Sequence, residues 1–167
     1  MKKFLILTLI AFISVLCISA TYHFKQVNTL TLTASNKTAQ KGAEVCLDIS
    51  SKDFQQIVSM QYTMKWNPKV IKYKSVKGFG LPGMSANSFG AQDAANGKLT
   101  FSWFDFNVRG ITVADGTALY QVCFDAIGES GTKGYFQFTN SPTVIEIANV
   151  FDVFLELNAV NGLVRIR

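Results

Sequence analysis

The sequence has one histidine, three cysteines and three prolines in 167 residues, and charged side chains make up only 16% of it. These scarcities exclude several kinds of chemistry. His23 lies between an apolar leader and the first strand-like stretch, where a triad base or a zinc ligand would be poorly held. There is no Cys-x-x-Cys pair, no phosphate-binding loop and no G-x-S-x-G elbow. A calcium loop of the D-x-[DN]-x-[DN]-G kind is also lacking. The acids are scattered: Asp105 follows an aromatic strand, Asp115 sits in a turn with Gly116, and Asp48 and Asp125 fall near cysteines. Two carboxylates suffice for glycoside hydrolysis, but nothing in these spacings singles out a pair. The expectation is a non-enzyme with no catalytic residue, no metal ligand and no cofactor.

Charge of one sign is thinly spread as well. The formal net charge is +5, falling to +3 without Lys2 and Lys3, and no basic run or stripe could neutralise a row of phosphates. Nucleic acid is not an expected partner.

What the sequence does have begins with Lys2 and Lys3, an apolar run from Phe4 to Leu16, and small residues at Ser19-Ala20. That order predicts a secretory signal peptide over residues 1–20. An uncleaved anchor is the alternative, although the run is shorter than the roughly 20 residues of a membrane-spanning helix. Cys17 follows Leu16, where a lipidated cysteine wants a small residue before it. Residues 21–27 read as a short linker and 28–167 as one domain, long enough to bury a core. The expected location is secreted, cell-surface or periplasmic in a bacterium, with membrane contact only through an uncleaved N-terminal segment. In such a compartment Cys46 and Cys123 read as one disulfide; the alternative is two separate thiols.

Turn formers recur at short intervals, among them Asn67-Pro68, Asn96-Gly97, Asp115-Gly116 and Asn161-Gly162, and β-branched and aromatic runs lie between them. The pattern is all-β, a sandwich or barrel. In Ile57 to Trp66 the apolar phase is Val58, Met60, Tyr62, Met64 and Trp66, and in Lys98 to Asp105 it is Leu99, Phe101 and Trp103. Both tryptophans fall on the core phase; exposed sugar platforms are the other reading. The phases of Glu44 to Ile49 and Leu119 to Ala126 leave Cys46 and Cys123 pointing outward. Outward cysteines can bond only from neighbouring strands of one sheet. Thr143 to Leu157 stays ambiguous between strand and helix.

The order VCLDI, FQQIVSMQYTMKWNPKVIKY, NGKLTFSWFD, DGTALYQVCFDAIG and a closing NGLVRIR resembles the cohesin domain family, over roughly residues 28–167. The resemblance implies a nine-stranded, jelly-roll-like β-sandwich related to carbohydrate-binding modules of polysaccharide-degrading systems. It implies a dockerin-type protein partner, with direct carbohydrate binding or a general cell-surface adhesion role as alternatives. The implied partner face is the sheet with Ile57 to Trp66 and Lys98 to Asp105. Its outward side chains would be Gln61, Thr63, Lys65, Thr100, Ser102 and Phe104. The resemblance also makes the strands of Cys46 and Cys123 neighbours.

Overall fold

Alternation of apolar and polar side chains sorts this chain into two layers. The computed structural model describes residues 29–167, so the expected signal peptide and linker, with Cys17 and His23, lie outside the described residues. The first strands are β1 (Thr29–Ala34), β2 (Asn36–Ala39), β3 (Glu44–Lys52), β4 (Ile57–Trp66), β5 (Ile71–Lys77) and β6 (Phe89–Gly90). They are followed by β7 (Lys98–Phe104), β8 (Ala118–Ala126), β9 (Lys133–Thr139), β10 (Glu146–Asn149), β11 (Glu156–Val160) and β12 (Gly162–Ile166).

One sheet, here sheet A, has the order β11-β1-β3-β8-β5. The other, sheet B, runs β2-β12-β9-β4-β7-β6, and β10 also pairs with β4. The sandwich expected from the sequence is present. The twelve segments reduce to about the expected nine once interruptions are recognised. β1 and β2 are one stretch that changes sheet at Ser35; β9 and β10 flank β4 in succession; β6 has two residues. The ambiguous stretch from Thr143 to Leu157 holds β10, a turn and the start of β11.

Both tryptophans are buried, as their phase predicts. The Trp103 indole N–H donates to the carbonyl of Pro82 at 2.8 Å. At mid-core Tyr62 of β4 meets Tyr120 of β8 from the opposite sheet, with hydroxyl oxygens 2.7 Å apart, and Tyr120 also contacts the Met64 sulfur at 3.3 Å. Burial pushes both phenols above their ordinary pKa, so the pair stays protonated and uncharged. Phe101 lies against both rings, at 4.8 Å from Tyr62 and 5.3 Å from Tyr120.

Cys46 and Cys123 form a disulfide between directly opposed residues of β3 and β8, with Cα atoms 4.0 Å apart. The pairing read from strand phase is therefore the one observed. The acids near it are held in the surface. Asp48 takes Lys37 at 2.7 Å and the Gln121 amide at 2.6 Å, while Asp125 faces Lys74 at 3.4 Å. Asp115 accepts the backbone N–H of Asp53 at 2.9 Å.

The outward face of sheet B as candidate functional site

Strand phase sends Ser59, Gln61, Thr63 and Lys65 of β4 outward, and β7 answers in register with Phe104, Ser102, Thr100 and Lys98. All six residues expected on this face are on it. Lys65, Ser102 and Phe104 are exposed, and Gln61 and Thr100 are half-buried.

Thr63 corrects the expectation of an outward contact residue, because it is fully buried. The segment after β9 folds across it: Thr63 Oγ1 accepts the N–H of Thr143 at 2.9 Å and donates to the Thr143 carbonyl at 3.0 Å. Alternation sets the direction in which a side chain leaves the sheet, not what a loop lays over it.

Phe104 is 53% exposed, and it is not isolated. Its ring lies 4.3 Å from that of Phe106, which is 69% exposed, and Val108 follows on the same loop. Asp105 positions this loop. Its carboxylate is buried and accepts backbone N–H groups from Asn107, Arg109 and Gly110 at 3.0, 2.9 and 3.0 Å. The glycine at position 83 leaves room for Phe106, since a Cβ there would come within 2.9 Å of the ring. Between the Gly83 to Ser88 stretch and Ser102, Phe104 and Phe106 lies an open groove of about 420 Å³.

A second loop extends the apolar surface from the other side of β4. Asn149 Oδ1 accepts the N–H groups of Phe151 and Val153 at 2.9 and 3.1 Å, and Asp152 takes a left-handed φ of 57°, which closes a tight turn. Phe154 then bridges Ala148, Ala148 opposes Ser59, and Ser59 opposes Phe104. Directly opposed residues share a face. Phe104 and Phe154 therefore flank a low saddle of Ser59 and Ala148, about 15 Å across at three inter-strand steps. Phe151 and Phe154 are 65% and 68% exposed. Sequence reasoning found only Phe104. Phe106, Phe151 and Phe154 sit in loops without alternation, and the usable signals were the Asp105 and Asn149 side chains that fold those loops.

The backbone N–H of Asn107, with those of Arg109 and Gly110, holds the Asp105 carboxyl below the ordinary carboxylate pKa against the opposing effect of burial. A lowered folded-state pKa stabilises above the unfolded value, near 4, and that contribution disappears as pH falls through the folded value. Acidification from pH 5 to pH 2 should accordingly shift the amide NMR signals of Asn107, Arg109 and Gly110 together. Asp105→Asn should show the loosened loop already at neutral pH. Unchanged signals in both cases would remove this role from Asp105.

No protein-family model and no curated protein sequence matches the chain. Solved structures do. A type I cohesin from Clostridium thermocellum, solved as a cohesin–dockerin complex, superposes with a TM-score of 0.70 at 15% identity, covering 84% of this chain and 100% of that one. The domain has the cohesin fold. Two further cohesins agree with it. The seventh ScaB type I cohesin from Pseudobacteroides cellulosolvens gives a TM-score of 0.67 at 13% identity, over 83% of this chain and 92% of its own. A non-cellulosomal cohesin from the archaeon Archaeoglobus fulgidus gives 0.64 at 18% identity, over 83% and 91%. In this cohesin-like domain the described residues include no helix long and apolar enough to cross a membrane.

Proposed function

We propose that this cohesin-like domain is an exported, non-catalytic module that binds a dockerin-like protein through the apolar end of the outward face of sheet B. The observation that carries the reading is that Phe104, with Phe106 against it, and Phe154 stand in one cross-strand row at one end of a single face, each more than half exposed, with the exposed Phe151 in the turn before Phe154. Large apolar patches on a folded domain mark interaction surfaces, and aromatic anchors dominate their energetics. Several solved structures with the same fold are complexes with dockerins, which supports a dockerin-like partner. A non-catalytic role is supported by the acids: Asp48, Asp105, Asp115 and Asp125 are each engaged by lysine, amide or backbone N–H groups. Export is supported by the disulfide, a bond of oxidising compartments.

Calorimetric titration against a panel of purified calcium-loaded dockerins from the host tests the reading. At least one should bind, and Phe104→Ser and Phe154→Ser should each weaken it about 30-fold, the factor for a 2 kcal/mol anchor. Lys72→Ala, on the exposed side of sheet A, should change it little. A panel with no binder, or phenylalanine variants that bind as the parent does, would sink the proposal.

A further inference from the structure

The other end of the same face has opposite chemistry. Arg165 of β12 and Lys133 of β9 are in-register partners, and Lys65 of β4 directly opposes Lys98 of β7. Like charges placed directly opposite destabilise a sheet. Lys98 reaches Asp93 at 3.8 Å, whereas Lys65, Lys133 and Arg165 pair with no carboxylate among the described residues. Residues 1–28 contain no acid at all.

Tyr135 stands along β9 between Lys133 and Gln137, the partner of Lys65, and is 57% exposed. It opposes Leu163 of β12, which opposes Asn36 of β2. A groove of about 260 Å³ beside it is lined by Asn36, Thr38, Leu163 and Arg165, together with Lys37, whose ammonium is held by Asp48 at 2.7 Å. One corner thus offers an exposed aromatic ring, an apolar floor, an amide, a hydroxyl and unpaired cations.

We propose that this corner is a binding site for an acidic polysaccharide, a chain containing uronic acid units. The Arg165 guanidinium meets a sugar carboxylate with two parallel N–H groups. Asn36 and Thr38 exchange hydrogen bonds with ring hydroxyls, and Tyr135 takes the apolar face of the adjoining unit. The row Asn36, Leu163, Tyr135 advances about 4.8 Å per strand, close to the length of one pyranose unit. An acidic peptide would use the cations alone and leave the ring and groove idle, and a nucleic acid would want a longer cationic track.

Affinity electrophoresis in gels containing polygalacturonate, with neutral galactan and poly-glutamate gels as comparisons, tests this. The protein should be retarded by polygalacturonate and by neither of the others. Arg165→Glu with Lys133→Glu should abolish the retardation, and Tyr135→Ala should weaken it at least tenfold with charge unchanged. Lys52→Glu with Lys72→Glu, the same change in charge on sheet A, should retain it. Phe104→Ser should retain it too, so this site and the dockerin surface stand or fall separately. No retardation overturns the site, as does equal loss in the sheet A variant, equal retardation by poly-glutamate, or indifference to Tyr135→Ala; circular dichroism confirms that each variant is folded.

Discussion

Phe101→Ala should lower the unfolding free energy by about 3–5 kcal/mol, the cost of emptying a large aromatic site in a core. Phe101 is 1% exposed, and its ring lies within 4.8 to 5.3 Å of those of Tyr62, Phe89 and Tyr120. Tyr62 and Tyr120 come from opposite sheets and are tied through their hydroxyls, so neither ring can move freely into the space left behind. Both contributions, lost burial and unfilled cavity, then count in full. Phe104→Ala supplies the contrast, three residues along the same strand but outward, and should change stability by no more than about 0.5 kcal/mol. Urea unfolding of the two variants measures both. Equal losses would mean that the division between core and binding face on β7 has been misjudged.

The second large effect concerns the disulfide. Replacing Cys46 and Cys123 together by alanine opens a loop spanning a separation of 77 residues, and the chain-entropy model puts the loss at about 4.5 kcal/mol. Here the loss acts chiefly through the unfolded chain. The pairs Val45 with Phe124 and Leu47 with Val122 hold the same register on either side, so the native ladder does not need the sulfurs to keep its alignment. The variant should therefore retain the native circular dichroism spectrum and show a steeper urea dependence, because its unfolded state exposes more surface. An unshifted midpoint, or a loss of native spectrum before any urea is added, would refute this account.

How much was legible beforehand followed the physics of alternation. β4 was readable from Met60 to Trp66, where Met60, Tyr62, Met64 and Trp66 keep the inward phase, but at its start Ile57 and not Val58 is buried because the pairing with β10 slips by one residue there; the cysteines were placed by the apolar residues on either side of them. Loops carry no such period. The cover over Thr63 depends on a hydrogen-bonded pair with a residue 80 positions away, and no local pattern announces that. Phe106, Phe151 and Phe154 were hidden for a related reason. Their loops are folded by carboxylate and amide side chains that gather backbone N–H groups, so composition shows the aromatics while only the folded turns show that they are exposed. The cationic corner was missed because Lys133 and Arg165 are far apart in sequence and become neighbours only through strand register.

The N-terminal stretch that crosses from one sheet to the other has a mechanical consequence. β1 runs parallel to β11 over five residue pairs, and β2 runs parallel to β12 over four. A pull on the domain from Thr29 and Ile166 in opposite directions loads both ladders along their length. Many hydrogen bonds must then fail at once instead of one after another, so the terminal strands act as a shear clamp on each layer. A module tethered at one end and loaded at the other would hold until that clamp gives, with the disulfide limiting how far the chain between β3 and β8 can pay out afterwards.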